Sequence, residues 1–86
     1  MNNPDSFKSR VGKFYISRQL IEDNPTLVKE ILSTTIVVRA EMLYESDVVS
    51  YVGLSHLFDP TPLGATAPYY KPIIEDNYFL CWAKNE

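Results

Sequence analysis

Apolar and polar residues alternate most clearly from Thr35 to Glu45. Ile36, Val38, Ala40, Met42 and Tyr44 take the even positions, and Arg39, Glu41 and Glu45 fall among the odd ones. A period of two is the spacing of a β-strand with one buried and one solvated face. The polar triplet Glu45-Ser46-Asp47 then reads as a turn and Val48 to Leu54 as a return strand, so this stretch predicts a β-hairpin. Gly53 weakens the second strand and marks a candidate bulge. Tyr69 to Glu75 and Tyr78 to Lys84 flank Glu75-Asp76-Asn77 and predict a second hairpin. Pro72 has no N–H to give to a ladder, which places its strand at a sheet edge or on a bulge. A shorter β-prone run, Val11 to Ile16, precedes both hairpins.

Between that run and the first hairpin the period lengthens to that of a helix. Asn24 followed by Pro25 is a start signal, because asparagine caps free N–H groups and proline at the first helical position loses no bond the helix needs. Leu27, Val28, Ile31 and Leu32 then share one face, spanning about 140° at 100° per residue. Ser17 is placed to cap an earlier turn carrying Leu20 and Ile21, with the helix broken at Pro25. The pattern therefore predicts an α+β fold: a small, mainly antiparallel sheet of four to five strands, two hairpins plus an N-terminal strand, with one short helix packed on one face.

Two segments resist regular structure. Residues 1–10 lack periodicity and read as a flexible N-terminal arm, leaving residues 11–86 as a single domain. Asp59 to Pro68 holds three prolines and a glycine and reads as a constrained loop. With 86 residues and 45% apolar composition, the chain has room for one modest core. Cys81 is the only cysteine, so no internal disulfide can brace that core. The longest apolar run, Tyr78 to Ala83, is six residues, far short of the roughly 18 needed for a membrane span. Residues 1–10 also lack the apolar stretch of a secretory signal, so a cytoplasmic location is expected.

Candidate chemistry is sparse. The chain has one histidine, His56, which excludes every two-histidine metal motif. An enzyme or metal centre would have to combine His56 with Asp59 and Cys81, drawn from separate segments with no ligand spacing between them. Ser55 lies beside His56 but lacks the second glycine of a nucleophile elbow. Cys81, between Leu80 and Trp82, reads as a small buried hydrophobe with an inert thiol. Three glycines, at 12, 53 and 64, cannot build a phosphate loop or a dinucleotide fingerprint, and no cofactor is expected.

Charge adds one asymmetry. Residues 1–20 carry four basic groups against one acidic, while residues 21–86 carry four basic against ten acidic. A basic arm touching nucleic acid is one reading; dispersed solubilising charge on an acidic chain of net −3 is the favoured one, and it argues against a nucleic-acid partner. The remaining enrichment is tyrosine, six residues, most of them in or beside expected strands. Tyrosine offers rigid area with a polar tip and recurs at interfaces. The expected function is therefore a non-catalytic protein-interaction module of the inhibitor or adaptor type. Its expected partner surface is Tyr51, Phe58, Pro60, Pro62, Tyr69 and Tyr70. One helix covers little of a five-stranded sheet, so a homodimer is expected as well.

Overall fold

The computed structural model describes residues 9–85, and most of the expected N-terminal arm, residues 1–8, lies outside the described residues. Five strands form: β1 (Val11–Ser17), β2 (Ile36–Leu43), β3 (Val48–Leu54), β4 (Tyr69–Glu75) and β5 (Tyr78–Asn85). They make one sheet of order β2-β3-β1-β4-β5. Both expected hairpins are present, β2-β3 and β4-β5, each antiparallel. β1 enters between them, antiparallel to β3 over its whole length and parallel to β4 at the single pair Lys13 and Tyr69. The second hairpin therefore touches the rest of the sheet along a short seam, held by the Lys13 N–H donating to Pro68 O at 2.9 Å.

The helical segment divides where proline and asparagine divide it. Ser17 caps α1 (Arg18–Asp23), its Oγ accepting from the Leu20 N–H at 3.1 Å. Asn24 then caps α2 (Pro25–Leu32), its Oδ1 accepting from the Leu27 N–H at 3.2 Å. The break suits Pro25, which has no N–H to continue the first helix and takes the first position of the second. Leu27, Val28 and Ile31 are the buried residues of α2, as the helical spacing requires. Neither segment is long or apolar enough to cross a membrane.

Alternation in β1 sends Gly12, Phe14 and Ile16 to the helix side of the sheet, and all three are buried. Phe14 is the hub of an aromatic cluster. Its ring stacks on Tyr51 at 5.1 Å between centroids and lies 4.7 Å from Trp82. Phe58 stacks on Tyr70 at 4.3 Å and meets Trp82 nearly edge-on. Phe14, Tyr51, Phe58 and Tyr70, with Ile16 and the α2 residues, make the core, and Trp82 packs against it half-buried. Each fully buried apolar side chain contributes about 1.5–3 kcal/mol relative to exposure. Gly12 is what lets the Phe58 and Tyr70 rings close over β1, because a Cβ there would lie 2.7 Å from Tyr70 Cδ2 and 2.9 Å from Phe58 Cδ2.

Several expectations change in detail. The even positions of β2 do not form one buried face: Ile36 and Val38 are each 57% exposed, and Tyr44 lies in the turn, 85% exposed. A bulge at Val38, between Val37 and Arg39, resets the alternation, so Val37 before it and Ala40 after it both face the helix side, opposite Gly53 and Tyr51. Gly53 thus lies opposite the bulge and not within one. Pro72 sits on β4, which is flanked by β1 and β5 and is not an edge strand. Its missing donor is tolerated because β4 pairs with β1 only at Tyr69, and a register shift follows at Ile73 and Ile74. Cys81 is exposed, not buried, since β5 is an outer strand and Cys81 pairs with Ile73 away from the core. The turn Glu75 to Tyr78 closes with positive φ at both Asp76 and Asn77, the geometry two-residue hairpins favour.

Candidate functional site

Phe58 is completely buried, and Tyr51 and Tyr70 are 9% and 6% exposed. These three rings belong to the core and do not present a surface. Among the described residues, the sheet face turned away from α2 is left open. Residues paired across strands share a face, so Val11, Lys13 and Tyr15 of β1, Ser50 and Val52 of β3, Arg39 and Glu41 of β2 and Tyr69 of β4 all lie on it.

Tyr15 and Tyr69 stand side by side on this face, with rings 5.5 Å apart and 19° from parallel. The Tyr15 hydroxyl donates to the Tyr69 hydroxyl at 3.2 Å. That bond holds the Tyr15 proton and raises its pKa above the ordinary 10.0. On the other flank, the Lys13 ammonium lies 5.5 Å from the Tyr69 ring centre, within cation–π range. Lys13 makes no ion pair among the described residues. Beside it is a shallow hollow of about 160 Å³ lined by Lys13, Arg39, Glu41, Ser50, Val52 and Tyr69. Arg39 and Glu41 pair across its rim at 3.3 Å.

Of the expected surface, Tyr69 therefore lies at the open face and Pro60 and Pro62 are exposed in the loop that precedes β4. That loop is pinned at its start. Phe58 O accepts from Arg10 Nη1 at 2.8 Å, the Asp59 N–H donates to the Tyr70 hydroxyl at 2.8 Å, and Thr61 N donates to Ser9 O at 2.8 Å. Its tip turns through Pro62 to Ala65, with Gly64 at φ 83° supplying the left-handed residue and Leu63 fully exposed. Arg10 and Ser9 are thus part of the fold. Of the four basic residues counted toward a basic arm, Arg10 and Lys13 serve the fold or the open face, Arg18 is paired with Asp47 and Glu22, and only Lys8 lies outside the described residues.

The catalytic combinations do not assemble. Ser55 is 1% exposed, and its Oγ donates to Thr34 O at 2.7 Å and accepts from the Leu57 N–H at 3.1 Å, so it is spent on joining β3 to the end of α2. His56 occupies the exposed turn that follows, and Asp59 lies 3.7 Å from Lys84 Nζ. His56, Asp59 and Cys81 form no shared cluster; among the described residues no group of three or more histidine, cysteine or acidic side chains is placed to hold a metal.

Sequence reasoning missed Lys13, Tyr15, Arg39, Glu41 and Ser50. The phase of β1 was legible, since Lys13 and Tyr15 alternate with Gly12, Phe14 and Ile16. What it could not supply was the parallel pairing that brings Tyr69 beside Tyr15, 54 residues apart. Comparison with protein-family models, curated proteins and solved structures gives no match for this chain.

Proposed function

We propose that this chain is a cytoplasmic, non-catalytic protein-interaction module that binds a protein partner through the open face of its sheet and also self-associates. The observation that carries the reading is the Tyr15–Tyr69 pair, 44% and 39% exposed, stacked and hydrogen-bonded on a strand-borne face beside a hollow lined by Lys13, which makes no ion pair among the described residues. Rings already held in one arrangement lose little side-chain entropy on docking. Tyrosine and arginine are the side chains that most often dominate binding energy. Pro60 and Pro62, exposed in the pinned loop, offer further rigid segments to the partner.

The test compares the wild type with the double variant Tyr15→Ala, Tyr69→Ala. Cross-linking and mass spectrometry identify bound proteins, and calorimetry with the purified partner measures affinity. Loss of the pair is expected to weaken binding by about 30-fold or more, the effect of a hot spot. Undiminished affinity in a variant with native circular dichroism would reject this face as the partner surface.

A further inference from the structure

The two edges of the sheet are managed differently. β5 turns toward α2, and its Phe79 N–H donates to Glu30 Oε1 at 2.8 Å. β2 has no such cover: among the described residues no loop or side chain bonds to its outer backbone. Its eight residues include neither proline nor lysine, so the bulge at Val38 and the charges of Arg39 and Glu41 are its only guards, and Ile36 and Val38 are each 57% exposed. An edge of this kind offers free N–H and C=O groups to another strand.

The side chains of β2 select which strand. We propose that β2 pairs antiparallel with β2 of a second copy of this chain, about a two-fold axis through Ala40, so that Arg39 of each copy faces Glu41 of the other. Residues opposite each other in an antiparallel ladder share a face, which requires the axis to pass through a residue. An axis at Arg39 or at Glu41 sets like charges against each other. An axis at Met42 sets Glu41 against Leu43, and one at Val38 runs into the bulge. Only Ala40 places opposite charges together twice, with the smallest side chain of the strand on the axis.

Directly opposed residues have Cβ atoms about 4.5–5.5 Å apart, closer than the roughly 6.6 Å between alternate residues of one strand. The exposed Arg39–Glu41 pair within one chain is thus exchanged for two pairs of better approach between chains. The bulge at Val38 keeps the new ladder short, from Val38 to Met42, so the association is weak and concentration-dependent. This rests on and deepens the self-association part of the proposed function: the contact runs along the β2 edge, although Arg39 and Glu41 also line the hollow beside Tyr69.

Sedimentation equilibrium over a concentration series, reaching hundreds of micromolar, decides it. The wild type is expected to move from 9.9 kDa toward twice that mass. Arg39→Glu and Glu41→Arg each place like charges opposite one another and are expected to stay at 9.9 kDa, while the double reversal in one chain restores the dimer. Val38→Lys guards the edge without touching the charge pair and is expected to be monomeric, with native circular dichroism and undiminished partner capture. Tyr15→Ala with Tyr69→Ala is expected to remain dimeric, which separates failure of the partner face from failure of this interface. A wild type that stays at 9.9 kDa throughout, or dimers that survive either single reversal, would overturn the proposal.

Discussion

The Tyr15 hydroxyl donates to the Tyr69 hydroxyl across a stacked pair of rings, joining the central strand of the sheet to the start of the second hairpin. Because the bond holds the Tyr15 proton, the folded-state pKa is raised above 10.0, its largest cause being this contact. A raised pKa contributes stability that is present below the unfolded value and lost as pH climbs through the folded one. Tyrosinate absorbance on alkaline titration should show two phenols ionising late, Tyr15 and Tyr51, the latter pushed up by burial, and Tyr69→Phe should return only the Tyr15 phenol toward the ordinary range. Persistence of both late phenols in Tyr69→Phe would contradict the assignment.

Acid should loosen the turn that joins β2 to β3. Arg18 grips Asp47 with Nε to Oδ1 at 2.6 Å and Nη2 to Oδ2 at 3.0 Å, while its backbone N–H donates to Asp47 O. The Arg18 guanidinium holds the Asp47 carboxyl below its ordinary 3.8. A lowered pKa contributes stability that is present above 3.8 and lost as pH falls through the folded value. Asp47 has φ 56°, which asparagine also accepts, so Asp47→Asn keeps the turn while removing the charge. Denaturant midpoints followed from neutral pH to below pH 3.8 should fall more steeply for the wild type than for Asp47→Asn.

Gly12→Ala should destabilise the protein by about 1–3 kcal/mol, the usual cost of overpacking. The added methyl meets the Phe58 and Tyr70 rings at under 3 Å, and both rings are buried and stacked on each other, with no open space to retreat into. Urea unfolding measures the difference; a variant as stable as the wild type would show that the seam over β1 is looser than these distances.

Asn24→Ala tests the break between the helices. The Asn24 side chain caps α2 and its backbone N–H donates to Leu20 O at 2.8 Å, so the residue ends one helix and begins the next. Only the side-chain bond is lost on substitution, and the expected loss is about 1 kcal/mol. Thermal unfolding should register it as a lower midpoint with an unaltered far-ultraviolet spectrum.

Cys81 should react in the native state. Its side chain is exposed on an outer strand, so a colourimetric thiol reagent should label about one equivalent without denaturant. Reaction only after unfolding would place the thiol inside.

Local rules made most of the elements legible. β3 and β4 fall where the turn residues and β-prone runs put them, and the Asn24-Pro25 pair marks the helix start because capping and proline geometry act within a few residues. The bulge at Val38 was not legible, because the repetition of apolar residues in β2 is the same with or without it; only pairing with β3 shows that the phase shifts. Aromatic composition likewise announced tyrosine-rich strands without saying which rings are buried, since Tyr69 and Tyr70 are neighbours in sequence and point to opposite faces.

The sequence by itself thus determined most of the strand and helix segments and the turn around Glu75-Asp76-Asn77, all of which depend on residues close along the chain. Tertiary structure alone decided that β1 lies between the two hairpins, that Tyr51, Phe58 and Tyr70 join the core while Tyr15 and Tyr69 meet on the open face, and that the described residues leave β2 uncovered. Those outcomes depend on which strands pair and how the second hairpin closes over Gly12, and pairing between distant strands is chosen by the joint burial of rings from all of them, which no local window contains.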